Sequence, residues 1–181
     1  MRAVNTLPRR ESQASPRSDL AVTFSALGRW EEAAAALRQF DAEMAAFDEA
    51  APGLRTRTAN VSARIALAAG DLAAAAAAAH AALRTAIDAR LVLLQVDTVE
   101  TIAVIAVAAG EPAAASRLLA ATNAERDRRG YLGRTLSAAS MSNIAELQAD
   151  QESAWTEGSA LTLSEAIDLA ERSAFGVGAG G

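Results

Sequence analysis

Apolar side chains return every three to four positions along most of this chain, which is the spacing of one face of an α-helix. The clearest run includes Trp30, Ala33, Leu37, Phe40, Met44 and Phe47. Gly and Pro interrupt the pattern and divide it into segments. We therefore expect an all-α protein with helices at residues 17–27, 30–50, 54–69, 71–86, 88–109, 111–129, 137–150, 153–158 and 163–174.

The segment from Leu91 to Val107 is the most apolar part of the chain and is rich in Val, Ile and Leu. That composition is also typical of a β-strand. The segment is too long for an ordinary strand, and it ends at Ala109-Gly110 as the other predicted helices end. We therefore predict a helix here, and expect it to be the most buried element.

Three glycines mark turns of one kind. Gly28, Gly70 and Gly110 are each followed, five residues later, by Ala, and they lie 42 and 40 residues apart. Gly favours the left-handed conformation that ends a helix, and Asp71 can cap the helix that follows. A period near 40 residues is typical of stacked helical hairpins.

The last helix has the strongest start signal. Thr162 and Glu165 fit a capping box, in which each side chain satisfies a free backbone amide. The predicted organisation is a flexible lead-in at residues 1–15, three hairpins at 16–130, capping helices at 131–174 and a flexible Gly-rich tail at 175–181.

Composition excludes several kinds of site. The chain has no Cys and one His, His80, so a usual zinc site cannot be built. It has no Lys, and its net charge is −5, which argues against a phosphate-binding loop and a nucleic-acid surface. No apolar run is long enough for a membrane span, and residues 1–20 lack a signal-peptide core. We expect a cytoplasmic protein that is not an enzyme, without catalytic residues, metal or cofactor.

The hairpin turns resemble those of tetratricopeptide repeats. That family places Gly at the turn between the helices, an aromatic residue two positions later and Ala five positions later, as in Gly28, Trp30 and Ala33. The resemblance implies an α-solenoid of stacked helical hairpins.

The C-terminal part has a second resemblance. Residues 117–121 (RLLAA) and 154–167 (AWTEGSALTLSEAI) resemble the C-terminal helical region of large actinobacterial LuxR-type, ATPase-containing transcriptional regulators. In that family the region is a helical-repeat module beside an ATPase and an effector domain. The chain has no GxxxxGK loop and no basic recognition helix, so the resemblance assigns no ATP or DNA function to any residue here.

The repeat geometry also selects candidate binding residues, because the first helix of each tetratricopeptide hairpin lines the concave face. The corresponding positions are Arg57, Asn60, Arg64, Asp97 and Glu100. Spacings of three and four place each set on one helical face. One interpretation is an exposed groove for a charged peptide or partner helix. The other is that the basic and acidic stripes pair with each other.

The sequence therefore predicts a non-catalytic module for protein interaction or effector sensing, of a transcription-regulator type, with a protein or peptide partner. Two alternatives remain open. One is a structural protein that self-associates into a homo-oligomer. The other is the remnant of a nucleotide-dependent regulator whose ATPase and DNA-binding parts are absent.

Overall fold

The computed structural model describes residues 16–44, 51–131 and 146–173, and all regular structure within these ranges is α-helical. The helices are α1 (Pro16–Ala26), α2 (Trp30–Met44), α3 (Pro52–Ala68), α4 (Leu72–Asp88), α5 (Val92–Ala108), α6 (Pro112–Arg129), α7 (146–150), α8 (Glu152–Ser159) and α9 (Leu163–Arg172). The all-α prediction is confirmed. The predicted lead-in, the C-terminal tail and most of the connector after Gly130 lie outside the described residues.

Helices α3 to α6 begin at Pro52, Leu72, Val92 and Pro112, so their starts lie 20 residues apart. The turns that separate them share one geometry, with a left-handed residue at Gly70, Arg90 and Gly110. Arg90 has a φ of 55° in a conformation that normally favours Gly. The predicted glycine turns are confirmed, but the turn at Arg90 was missed because it contains no Gly.

That missed turn accounts for the largest error in a helix boundary. The sequence pattern predicted the fifth helix from residue 88, whereas α4 continues to Asp88 and α5 begins only at Val92. The amide of Leu91 donates to the carbonyl oxygen of Ala86 at 2.8 Å, which closes the turn between the two helices. The third helix begins at Pro52 rather than residue 54, because Pro is well suited to the first helical turn.

Both predicted helix caps are present. The Asp71 carboxylate accepts a hydrogen bond from the amide of Ala74 at 2.9 Å. The Thr162 hydroxyl accepts from the amide of Glu165, and the Glu165 carboxylate accepts in return from the amide of Thr162 at 2.8 Å. These side chains satisfy amides that have no partner within the helix itself.

The helices pack as sequential antiparallel pairs, and the first helices of these pairs also meet, since α3 contacts both α1 and α5. Helix α5 is the most buried element, as predicted. Helix α4 presents a stripe of small buried residues to its neighbours: Ala75, Ala76, Ala79, Ala82 and Ala86. Small side chains let helix axes approach closely, so the core depends on many small contacts rather than on a few large residues.

None of the helices in the described ranges is both long and apolar enough to cross a membrane.

Gly158 lies where α8 crosses the backbone of α6. A Cβ atom at this position would lie 2.6 Å from the Cα and 2.8 Å from the carbonyl carbon of Arg117. We predict that Gly158→Ala lowers the free energy of unfolding, although Ala normally stabilises a helix by about 1 kcal/mol relative to Gly. Urea denaturation of the purified variant measures the change.

Gly53 provides the matched control. A Cβ atom there would meet only side-chain atoms of Leu94 and Leu91, at 3.8 and 3.9 Å. Gly53→Ala should therefore be neutral or stabilising. Equal effects of the two substitutions would contradict the close approach of α8 to α6.

Candidate functional site

The predicted groove residues lie on α3 and α5, which pack against each other. Only Arg57 is exposed there, with 51% of its side chain accessible. Asn60, Arg64, Asp97 and Glu100 are all buried, so the expectation that these four lie exposed in an open groove is wrong. The sequence placed them on the correct helical faces, but those faces are turned toward each other and toward α6.

A hydrogen bond joins α3 to α5 at Asn60. Its Nδ2 donates to the Thr98 hydroxyl at 2.9 Å, and that hydroxyl donates onward to the carbonyl oxygen of Leu94 at 2.6 Å. Because the Thr98 proton is used on Leu94, the Thr98 oxygen must be the acceptor for Asn60. This chain of bonds fixes the orientation of the Asn60 amide between α3 and α5.

The central interaction involves a residue that the sequence pattern did not select. Arg126, on α6, reaches Asp97 Oδ1 at 2.6 Å and Glu100 Oε2 at 2.7 Å through the same nitrogen, Nη2. Its side chain is 3% exposed, and those of Asp97 and Glu100 are 6% and 0% exposed. A charged run such as residues 125–129 is typical of a solvated helix end, but Glu125 and Arg126 within it are buried.

A signal for Arg126 existed in the sequence. Leu118, Thr122 and Arg126 are four residues apart, and all three are buried on one side of α6. Arg128 lies off that stripe and is exposed, whereas Arg129 lies on it but is the last residue of α6 and is exposed as well. Helical spacing therefore separates Arg126 from Arg128, and only the end of the helix separates it from Arg129.

Tyr131 extends the cluster beyond the end of α6. Its hydroxyl donates to Asp97 Oδ2 at 2.9 Å, and the Arg126 guanidinium lies 4.7 Å from the centre of its ring. Burial raises the pKa of the Tyr131 hydroxyl above its ordinary value, and the Asp97 carboxylate raises it further. Asp97 is thereby hydrogen-bonded by both Arg126 and Tyr131.

The two buried arginines differ electrostatically. Burial would lower the pKa of Arg126, but the Glu100 and Asp97 carboxylates more than offset it, and the net shift is upward. For Arg64 burial dominates and lowers the pKa, although the same two carboxylates act in the opposite direction. The Asp97 and Glu100 carboxylates thus act on the buried Arg64 across the interface between α3 and α5. Because Arg64 is buried, the substitution Arg64→Glu would change the core rather than the surface.

Beside this cluster lies a pocket with a cavity volume of about 550 Å³. It lies between α1, α3 and α5, and Tyr131 forms part of its wall. Its lining contains four of the five predicted groove residues and a set of apolar side chains: Arg57, Asn60, Arg64 and Asp97, with Val22, Val61, Leu91, Val92, Leu93, Leu94 and Tyr131. Its volume is in the range of small-molecule sites in proteins.

His80 and Trp155 have structural contacts. The Nε2 atom of His80 lies 3.2 Å from the carbonyl oxygen of Ser173, which links α4 to the end of α9. Trp155 is half-buried and packs against the main core. Within the described ranges, no three His, Cys, Asp or Glu residues are grouped so that they could hold a metal ion.

Comparisons of the chain with protein-family models, with curated proteins and with solved structures found no match. The resemblances to tetratricopeptide repeats and to LuxR-type regulators therefore remain predictions.

We predict that Arg126→Met lowers the free energy of unfolding by about 3–5 kcal/mol, because it leaves Asp97 and Glu100 buried without their cation. Arg117→Met is the matched control, since it removes an ion pair with Glu157 whose side chains are 37% and 54% exposed. That loss should be about 1 kcal/mol or less. Urea denaturation measures both.

A second substitution tests the cause. In the Arg126→Met background, Glu100→Gln removes one of the stranded charges and should recover part of the lost stability, which a double-mutant cycle isolates. Equal costs for Arg126→Met and Arg117→Met would contradict the role given to the buried pair.

The protein has a single Tyr, so tyrosinate absorbance titrates Tyr131 directly. We predict a midpoint above 10.0 in the folded protein, and a lower midpoint in Asp97→Asn. Because the folded pKa is the higher one, this group stabilises the fold fully below the unfolded pKa of 10.0, and the contribution is lost as the pH rises through the folded pKa. A midpoint equal to that of the urea-unfolded protein would show that Tyr131 does not contact Asp97.

Proposed function

We propose that this chain is a non-catalytic helical module that senses an effector through the pocket between α1, α3 and α5. One observation carries the proposal: four residues selected from the sequence as a binding face line a single cavity of about 550 Å³. Three separate helices and Tyr131 contribute to its lining, which is the usual construction of a ligand pocket between helices.

The shape of the site favours a small effector over an extended peptide. A partner helix or peptide is usually held along a continuous groove, by side chains repeated at regular spacing. Here the inner residues Asn60, Arg64 and Asp97 are buried, while the apolar residues at the start of α5 line one wall of a single pocket. Of the five charged or polar positions selected from the sequence, only Arg57, at the rim, is exposed.

The arrangement of the helices supports a tetratricopeptide-like superhelix as part of this proposal. Of the first helices of consecutive pairs, α3 contacts both α1 and α5, and all three line the pocket. Together with the sequence resemblance to LuxR-type regulators, this favours the sensing or partner-binding part of a transcriptional regulator.

The chemistry of the pocket supports a role without catalysis. Asp97, the carboxylate in the lining, accepts hydrogen bonds from Arg126 at 2.6 Å and from Tyr131 at 2.9 Å. A general base must lie within hydrogen-bond reach of the proton that it removes. Asp97 is 5% exposed and each of its oxygens already accepts a hydrogen bond from another element, so it is better suited to hold helices together than to accept a proton from a substrate.

The test uses N-phenyl-1-naphthylamine, a neutral dye whose fluorescence rises in apolar surroundings. Val22→Trp and Val92→Trp add bulk to two different walls of the pocket. We expect saturable binding to the wild-type protein and a loss of at least about fivefold in affinity for each variant, because the added ring occupies the space of the dye. Fluorescence titration measures the affinity.

Ala81→Trp is the matched control, since it adds the same ring at an exposed position of α4 away from the pocket. It should leave dye affinity unchanged. Undiminished binding by both pocket variants, with unfolding midpoints that show intact folds, would reject the pocket as the binding site.

The alternative of self-association has one observation in its favour. Leu20 and Leu27 lie seven residues apart on or just after α1, and they are 47% and 64% exposed. Exposed apolar residues on one helical side can pair with a second copy. Sedimentation velocity separates the two functions: a stable oligomer that dissociates on Leu20→Glu with Leu27→Glu, without any dye affinity in the pocket, would favour the structural role.

A further inference from the structure

We propose that the natural ligand of this pocket is a small amphipathic anion. Its apolar body lies against the Leu and Val side chains, and its carboxylate or a similar acid group pairs with Arg57 at the rim. This ligand class rests on the proposed function, because it requires the pocket between α1, α3 and α5 to be the binding site.

The apolar body follows from the composition of the walls. Six of the eleven lining residues are aliphatic: Val22, Val61, Leu91, Val92, Leu93 and Leu94. They belong to three different helices or their ends, so apolar surface lines more than one side of the pocket. Leu93 is 44% exposed at the opening. Covering such surface with an apolar ligand is favourable because it removes that surface from water.

The charges at the inner end of the pocket balance each other. Arg64 and Asp97 line the cavity, and Arg126 and Glu100 lie behind them, so two cations face two carboxylates. A charged ligand group placed there would upset this balance in a buried environment, where an uncompensated charge is costly. The inner end therefore favours the uncharged part of a ligand.

The rim has different electrostatics. The side chain of Arg57 is 51% exposed, and its Nη1 lies 3.7 Å from the carboxylate of Asp19, beyond hydrogen-bond length. An exposed pair of this kind contributes little stability, so a ligand anion can replace Asp19 at small cost. The planar guanidinium can donate two parallel hydrogen bonds to a carboxylate or a sulfonate.

The decisive experiment compares two dyes with one ring system. The anionic dye 8-anilinonaphthalene-1-sulfonate differs from neutral N-phenyl-1-naphthylamine by its sulfonate group. We expect Arg57→Gln to lower the affinity for the anionic dye by about threefold to fivefold. The same substitution should change the affinity of the neutral dye by less than about twofold, since apolar burial is unaffected.

Arg84→Gln is the matched control, because it removes the same charge from an exposed position of α4 that does not line the pocket. It should affect neither dye. Raising the salt concentration should lower the affinity of the wild-type protein for the anionic dye, because salt screens an exposed ion pair. It should not change the affinity of Arg57→Gln for that dye. Unfolding midpoints identify any loosely packed variant, which would bind such dyes non-specifically.

The outcomes separate this inference from the proposed function. If Arg57→Gln leaves the affinity for the anionic dye unchanged, or lowers the affinities for both dyes equally, the anionic ligand class is wrong. The pocket itself would still stand if Val22→Trp and Val92→Trp abolish binding of the neutral dye. If those two variants bind both dyes as well as the wild-type protein, the proposed function fails first, and the ligand class fails with it.

Discussion

Two carboxylates of α5, Asp97 and Glu100, lie inside the helical core, where a charge is costly unless an opposite charge bonds to it directly. Arg126 meets that requirement from α6 through one nitrogen, Nη2, at 2.6 and 2.7 Å. Arg64 interacts with the same carboxylates from α3. The relative positions of three helices are therefore constrained by one cluster of four charges, because moving any of these helices would leave a buried charge uncompensated.

The same cluster defines the inner end of the pocket. Asp97 and Arg64 belong both to the ionic cluster and to the cavity lining, and Tyr131 is fixed against Asp97 by its hydroxyl. A shift of Asp97 or Arg64 within the ionic cluster would therefore also change the wall of the pocket. This connection is a physical route by which an occupied pocket would alter the packing of α5 against α6, which the proposed function requires.

The surrounding core gains its stability differently. Buried alanines on α4 and the Gly158 contact with α6 bring backbones close together, and each contributes little apolar area. Packing of this kind tolerates few enlargements, since a single Cβ at Gly158 would overlap the α6 backbone. The protein thus combines a rigid, closely packed body with a pocket whose Leu and Val walls supply larger apolar surfaces.

The sequence by itself determined the all-α class, the glycine turns, the caps at Asp71 and Thr162, and the helical faces that carry Arg57 and Asp97. These features follow from helical periodicity and local hydrogen bonding, which act between residues close in the chain. Only the tertiary structure decided that most of the candidate face is buried, that Arg126 is its main cation, and that Arg90 forms a turn without Gly. These depend on which helices meet in space, and residues 26 to 29 positions apart pair only after packing has brought them together.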